Sequence, residues 1–388
     1  MYPNKRGDAE RVRQAPGLSQ KIRRMNVALV HDWLNGMRGG EKILEVLCEL
    51  FPDAVVHTLL LDRSRLSPAI ARMEIRTSLL QRLPLRRTHY RYYLPLFPKL
   101  VERFDLRGFD LVISTSHCVA KGARAPRGVP SLCYCLTPMR YVWYFGEEYF
   151  GRWGAKRALL KPAFAALKRW DVSSAARVDR WLAISETVAA RVQKVYHRDA
   201  EVLYPPVDAG FFTPGEAAGG YHLAVSALVP YKRLDVAVRA FNELCLPLKI
   251  VGEGPERKRL EAIAGPRIEF LGWRTNEEIR DLYRGCRAFI FPGEEDFGIT
   301  PLEAQACGRP VLALGRGGAL ETVRDGETGL FFDAQEPAAL VEAVRRAERM
   351  RFDPAVARMH AERFDRPIFK ERLARWILKA SEECREET

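Results

Sequence analysis

The densest chemistry in the chain lies between Phe291 and Gly308, which reads Phe-Pro-Gly-Glu-Glu-Asp-Phe-Gly-Ile-Thr-Pro-Leu-Glu-Ala-Gln-Ala-Cys-Gly. An apolar strand ends at Pro292, an acidic loop follows, and a short helix is expected from Thr300 with Pro301 at its first position. Thr300 and Glu303 have the spacing of a capping box, in which Glu303 bonds back to the cap backbone. Capping accounts for Glu303 but not for Glu294, Glu295 and Asp296, whose mutual repulsion calls for a partner with hydroxyl or cationic groups. The N–H groups of Phe297, Gly298 and Ile299 fall at a helix N-terminus, where partial positive charge favours an anion such as a diphosphate. Ionised carboxylates beside that anion suit the hydroxyls of a sugar or ribose.

Four other places have comparable local logic. Ser226-Ala-Leu-Val-Pro-Tyr-Lys-Arg233 runs from a strand end toward a helix, and Lys232 with Arg233 in a first helical turn would oppose the macrodipole, so a compensating anion is expected. Gly252-Glu-Gly-Pro255 follows a strand and either lets backbone approach a ligand or is a plain tight turn. Gly39 and Gly40 separate a strand from a helix, as a phosphate-facing loop or a bare turn. His117 stands just past the strand Leu111 to Ser114, at the carboxyl edge where α/β sites form, although a lone histidine is more often structural.

Taken together, Glu295 and Glu303, separated by seven residues, and the surrounding Glu-Glu-Asp-Phe-Gly-Ile-Thr-Pro-Leu-Glu-Ala-Gln-Ala context resemble the signature of retaining glycosyltransferases of family 4. The resemblance runs from about Asn26 onward. It implies a GT-B fold, two Rossmann-like doubly wound α/β domains facing across a cleft, and transfer of a glycosyl group from a nucleoside diphosphate sugar with retained configuration. It assigns Glu295 to the donor sugar, Glu303 to the ribose, and the amides of Phe297, Gly298 and Ile299 to the phosphates. Lys232 is assigned to the diphosphate, Gly252 to the nucleotide, and Gly39 and Gly40 to the acceptor and donor-phosphate side; beyond the resemblance, Arg233 is expected to share the diphosphate charge, and His117, by its place among Ser and Thr residues at a strand end, to stand near the reacting sugar. Glu295, His117 and Lys232 are the expected catalytic groups. The family usually has Arg where Ala227 stands. Its mannosyltransferase-like branch, resembled by Cys133 to Tyr144, often has His in place of Leu136 and Asp in place of Tyr144. That branch makes GDP-mannose the first donor to consider and a lipid-linked saccharide the first acceptor.

Such side chains need a scaffold, and the chain is long enough for two domains at 388 residues. Short apolar runs from Val27, Ala54, Leu111, Ser131 and Trp181 read as buried parallel strands of a first domain over 25–208. A second series at His222, Leu248, Ile268, Ala288 and Val311 builds another over 209–365, and final helices over 366–388 are expected to return to the first. Tyr204-Pro-Pro-Val-Asp208 reads as the hinge, and residues 1–24 as a loose basic segment, with Met25 a candidate start.

Hydrophobic residues at 47% and charged ones at 29% are close to the average of soluble globular proteins and indicate neither a disordered chain nor a membrane protein. No apolar run reaches the length of a spanning helix and no signal-peptide pattern opens the chain, so a cytoplasmic protein is expected. No Asp-x-Asp and no zinc-type cysteine pattern occurs, and neither a metal nor another cofactor is expected. The eight cysteines read as reduced, mostly buried thiols.

The net charge of +13 is carried by the first half, which suits an anionic partner. From Thr77 to Leu100, Arg82, Arg86, Arg87, Arg91 and Lys99 are interleaved with Leu, Tyr and Phe, as a peripheral membrane face or as basic helices capping the domain. Nucleic acid is not expected, because no RNP, KH or helix-turn-helix signature occurs.

Overall fold

The computed structural model describes residues 25–85, 89–144, 154–215 and 219–387, so the basic segment 1–24 and Arg86 and Arg87 lie outside the described residues. The chain divides into two compact units. The first comprises residues up to Ile184, Val188–Leu203 and Phe369–Thr388; the second comprises Ser185–Thr187 and Tyr204–Ile368.

The first unit is built on seven parallel strands: β1 (Val27–His31), β2 (Val55–Thr58), β3 (Glu74–Thr77), β4 (Leu111–Ser116), β5 (Ser131–Cys135), β6 (Arg180–Ala183) and β7 (Glu201–Val202). Their order is β3-β2-β1-β4-β5-β6-β7, so the winding reverses between β1 and β4. Both are buried along their full length, as expected of strands covered on two faces. Helix α1 (Gly39–Leu50) begins at Gly39, so the glycine pair lies within the helix's first turn rather than in a loop before it. Small residues there permit close packing: a Cβ on Gly40 would press on Leu136 Cδ1 at 2.7 Å.

The second unit has six parallel strands: β8 (Tyr221–Val225), β9 (Leu248–Val251), β10 (Ile268–Gly272), β11 (Cys286–Phe291), β12 (Val311–Leu314) and β13 (Gly329–Phe332). Their order β10-β9-β8-β11-β12-β13 again reverses next to the first strand, between β8 and β11. Helix α2 (Leu234–Leu244) buries Leu234, Val236, Ala237, Val238, Ala240 and Phe241 in a core shared with Leu248, Ile250, Ile290 and Leu312. Helices α3 (Asn276–Gly285) and α4 (Ile299–Ala306) flank β11 in sequence.

Helix α5 (Arg366–Glu386) carries the chain's last residues to the first unit. Phe369 meets Tyr134 edge-on at 6.1 Å, and Lys370 pairs with Glu49 at 2.9 Å. All eight cysteines are free thiols, and seven of them are buried. No helix among the described residues is long and apolar enough to cross a membrane.

Candidate active site

In an open α/β sheet the loops leaving neighbouring strands on either side of a winding reversal splay apart, and the gap accepts ligands. Both units place their polar clusters on such loops.

In the second unit, the segment after β8 carries Lys232 and the segment after β11 carries Glu295. The Lys232 ammonium reaches the Glu295 carboxylate, and both side chains remain partly accessible. The acidic loop is therefore met by a cation of the chain itself. Lys232 closes a 3-10 turn (Pro230–Lys232), and Arg233 is left-handed at φ 50°, outside α2, so neither cation occupies the helical first turn that the sequence suggests. Arg233 turns away: its guanidinium lies 3.0 Å from Asp235 Oδ1 and 3.3 Å from Gln335 Oε1. Gln335 in turn donates to the Pro292 carbonyl at 3.2 Å, bracing the end of β11.

The acidic loop leads into α4, whose N-cap is Gly298 at φ 100°, a conformation natural to glycine. The helix starts one residue earlier than expected, with Pro301 third, and its cap uses no side chain. The capping-box reading of Thr300 and Glu303 is therefore corrected. Glu303 is buried instead, and its Oε2 accepts from Tyr283 Oη at 3.1 Å. Capping by Thr300 would need it outside the helix, whereas here it lies inside. Phe297 is anchored by stacking on Tyr204, with centroids 5.4 Å apart.

Gly252, at φ 128°, accepts no other residue easily, because a Cβ would land on the Ser226 carbonyl oxygen. The loops after β8 and β9 thus touch backbone to backbone, with Leu228 N–H donating to the Glu253 carbonyl at 2.9 Å. The residues after β12 were not singled out from the sequence. Gly318 N–H donates to the Glu295 carbonyl at 2.8 Å, and a Cβ on Gly318 would strike the Phe297 backbone. The Gly-Arg-Gly-Gly run from Gly315 was the available signal. Lys232, Gly252, Glu295, Phe297 and Gly298 thus belong to one set of interlocked loops, and Ile299 and Glu303 to the helix α4 that follows, whereas Arg233 is engaged with its own neighbours.

In the first unit, Asp32 follows β1 and His117 follows β4. Asp32 is fully buried and accepts the N–H groups of His117, Cys118, Val119 and Ala120 at 2.6–2.9 Å, while His117 Nδ1 lies 3.0 Å from Asp32 Oδ2. Burial alone would raise that carboxyl, but the charge and hydrogen bonds of His117 outweigh it and hold Asp32 well below the usual range. His117 stays a quarter exposed, with Trp33 edge-on at 4.5 Å. Asp32, passed over as a site residue, is what fixes the turn bearing His117.

His31 lies beneath, its Nδ1 2.6 Å from Thr115 Oγ1, and burial lowers its pKa to about 3, so it stays neutral. Leu136, where the mannosyltransferase-like branch often has His, is the residue that faces Gly40. Gly39 and Gly40 open α1 on the far side of the β1 loop.

Two winding reversals with loop-borne polar clusters at each define a pair of Rossmann-like sheets, and known structures share that architecture. HepE of Anabaena, solved in complex with UDP, superposes with a TM-score of 0.68 over 92% of this chain and 100% of its own at 17% identity. Sucrose-phosphate synthase from Thermosynechococcus elongatus gives 0.67 over 92% and 98% at 18% identity. The fold is GT-B.

Residues 37–211 match the family model described as Glycosyltransferase Family 4, and residues 219–363 the model described as Glycosyl transferases group 1. The chain belongs to glycosyltransferase family 4. Among curated relatives, a D-inositol 3-phosphate glycosyltransferase of Acidothermus cellulolyticus is 31% identical over 246 residues, 50% of this chain and 55% of that protein. An uncharacterized glycosyltransferase of Methanocaldococcus jannaschii is 28% identical over 171 residues, 43% and 48% respectively. The chain spans about half the length of the curated relatives it matches.

Proposed function

We propose that this chain is a retaining glycosyltransferase that moves a sugar from a nucleoside diphosphate sugar to an acceptor hydroxyl. The observation that carries the reading is the pairing of Lys232 with Glu295 on the two loops that flank the second sheet's winding reversal. Lys232 supplies positive charge to the departing diphosphate, and the amides of Phe297, Gly298 and Ile299 at the start of α4 add a fixed dipole. Glu295 accepts hydrogen bonds from the donor sugar and Glu303 from the ribose, while Gly252 allows backbone to approach the nucleotide. His117, held by Asp32, is proposed to bond the reacting sugar. Gly39 and Gly40 are proposed to serve the acceptor and donor-phosphate side.

This arrangement meets the leaving charge with protein groups, so transfer is proposed to need no divalent metal. Full activity in the presence of EDTA is the expected result, and activity restored only by added Mg²⁺ or Mn²⁺ would refute it. GDP-mannose is the first donor proposed, from the mannosyltransferase-like segment Cys133 to Tyr144, with a lipid-linked saccharide of a surface polysaccharide as acceptor. UDP-sugars are the main comparison, because HepE binds UDP.

A thermal-shift panel of nucleotide sugars tests the donor site, since a ligand at 100 times its Kd stabilises by about 2.7 kcal/mol. A shift with one nucleotide sugar is expected, and none with any would overturn the reading. Incubation with that donor alone then separates transfer from its rivals, because free sugar or an epimerised donor would mark a hydrolase or epimerase.

A further inference from the structure

The segment between β3 and β4 is apolar on two faces. Leu80, Tyr90, Leu94 and Phe97 are buried in the first unit's core. Leu79, Leu85, Tyr92 and Leu96 are left in solvent, at 54%, 66%, 66% and 45% exposure. Eleven large hydrophobic residues are exposed among the described residues, and these four fall within eighteen positions while the others are scattered. Clustering of that kind marks a contact surface, whereas single exposed apolar residues are ordinary.

The segment is short and folded back on itself rather than laid out as a regular helix. Leu79–Arg82 and Tyr90–Leu96 are 3-10 turns, and Tyr93 Oη donates to the Pro84 carbonyl at 3.0 Å. The chain neighbours of Leu85 and Tyr92 are thereby bonded to one another. Arg82, Arg91 and Lys99 are exposed among these apolar residues, and no Asp or Glu occurs from Ser78 to Val101. A protein partner with an apolar face would be indifferent to that one-signed frame, but an anionic lipid surface combines both requirements, headgroup charge at the rim and acyl carbon within.

We propose that Leu79, Leu85, Tyr92 and Leu96, framed by Arg82 and Lys99, dock the first unit onto an anionic lipid bilayer. The core side of the same segment fixes the face: Leu80, Tyr90, Leu94 and Phe97 hold it by burial, so docking requires no rearrangement of the unit. None of these residues belongs to the proposed donor site, so docking and sugar transfer can fail separately.

The full chain is sedimented with vesicles of phosphatidylcholine, with and without phosphatidylglycerol, in the absence of any donor. Binding to the anionic vesicles alone is expected. Arg82→Ser with Lys99→Ser should weaken it by about fivefold per charge, since each basic residue near the surface contributes roughly 1 kcal/mol. Leu85→Ser with Tyr92→Ser should weaken it at least tenfold while leaving melting temperature and transfer to a soluble acceptor intact. Equal binding to neutral vesicles, no binding, or indifference to both double variants would overturn the proposal. So would a dimer that Leu85→Ser with Tyr92→Ser dissolves, or a salt-sensitive complex with RNA that outcompetes the vesicles. Loss of vesicle binding alongside a normal thermal shift with the donor would locate the failure in docking rather than in the glycosyltransferase reading.

Discussion

At the level of single residues, the proposed site is a set of charges that answer one another before any ligand arrives. Replacing Lys232 or Glu295 by Ala should each lower turnover on the order of 10²-fold, as expected for a group that meets charge developing in the transition state. Steady-state kinetics with the donor found by thermal shift checks this, and near-normal rates in both variants would remove them from the mechanism. Because the two touch, the double variant should cost less than the product of the single effects. Glu303→Gln keeps an acceptor for Tyr283 and disturbs no cap, so melting temperature should change little. Donor affinity should fall about tenfold, since hydrogen bonds to a charged group contribute roughly 1.5–3 kcal/mol. A titration that finds affinity unchanged would leave Glu303 with a packing role only.

At the level of elements, the close approach of loops is the property most exposed to substitution. Gly318→Ala places a methyl against the Phe297 backbone and should both lower stability by about 1–3 kcal/mol and weaken donor binding. Chemical denaturation and nucleotide titration of one preparation would show both losses, and a variant that loses neither would mean the loop after β12 yields. The sequence made the strands with continuous apolar runs legible, as at Val27, Leu111, Leu248 and Val311. It hid β3, which reads Glu-Ile-Arg-Thr at a sheet edge where one face is wet, and β7, which is two residues long. The Glu295-to-Glu303 region was legible because charge repulsion and helix polarity are local. The cap of α4, the retreat of Arg233 onto Asp235 and Gln335, and the grip of Asp32 on four amides were not, because each depends on partners set by tertiary packing.

At the level of the whole molecule, buried imidazoles tie stability to pH. His31 has its pKa lowered to about 3, and His57, His222 and His360 theirs to about 4, each chiefly by burial. In the unfolded chain each takes a proton near pH 6.5, whereas in the folded one it does not until pH 4 or below. The unfolded state therefore holds more protons across that window, and stability should fall as pH drops from about 6.5 toward 4. Glu41 acts in the opposite sense, because burial raises its pKa and its protonated form favours the folded state at low pH. Asp32, held below its ordinary range, adds to the loss as pH falls toward that range, so melting temperature should decline steeply on acidification. His222→Leu should flatten the slope, and a flat wild-type profile over that range would contradict the assignment.

The return of α5 to the first unit also orders events during synthesis. Phe369, Leu373, Ile377 and Leu378 are buried residues of a helix that the ribosome makes only after the second unit. At about 5–20 residues per second, the nascent first unit waits on the order of 10 s with its Tyr134 side uncovered. Chaperone capture of the emerging chain should concentrate in that interval and fall once α5 clears the exit tunnel.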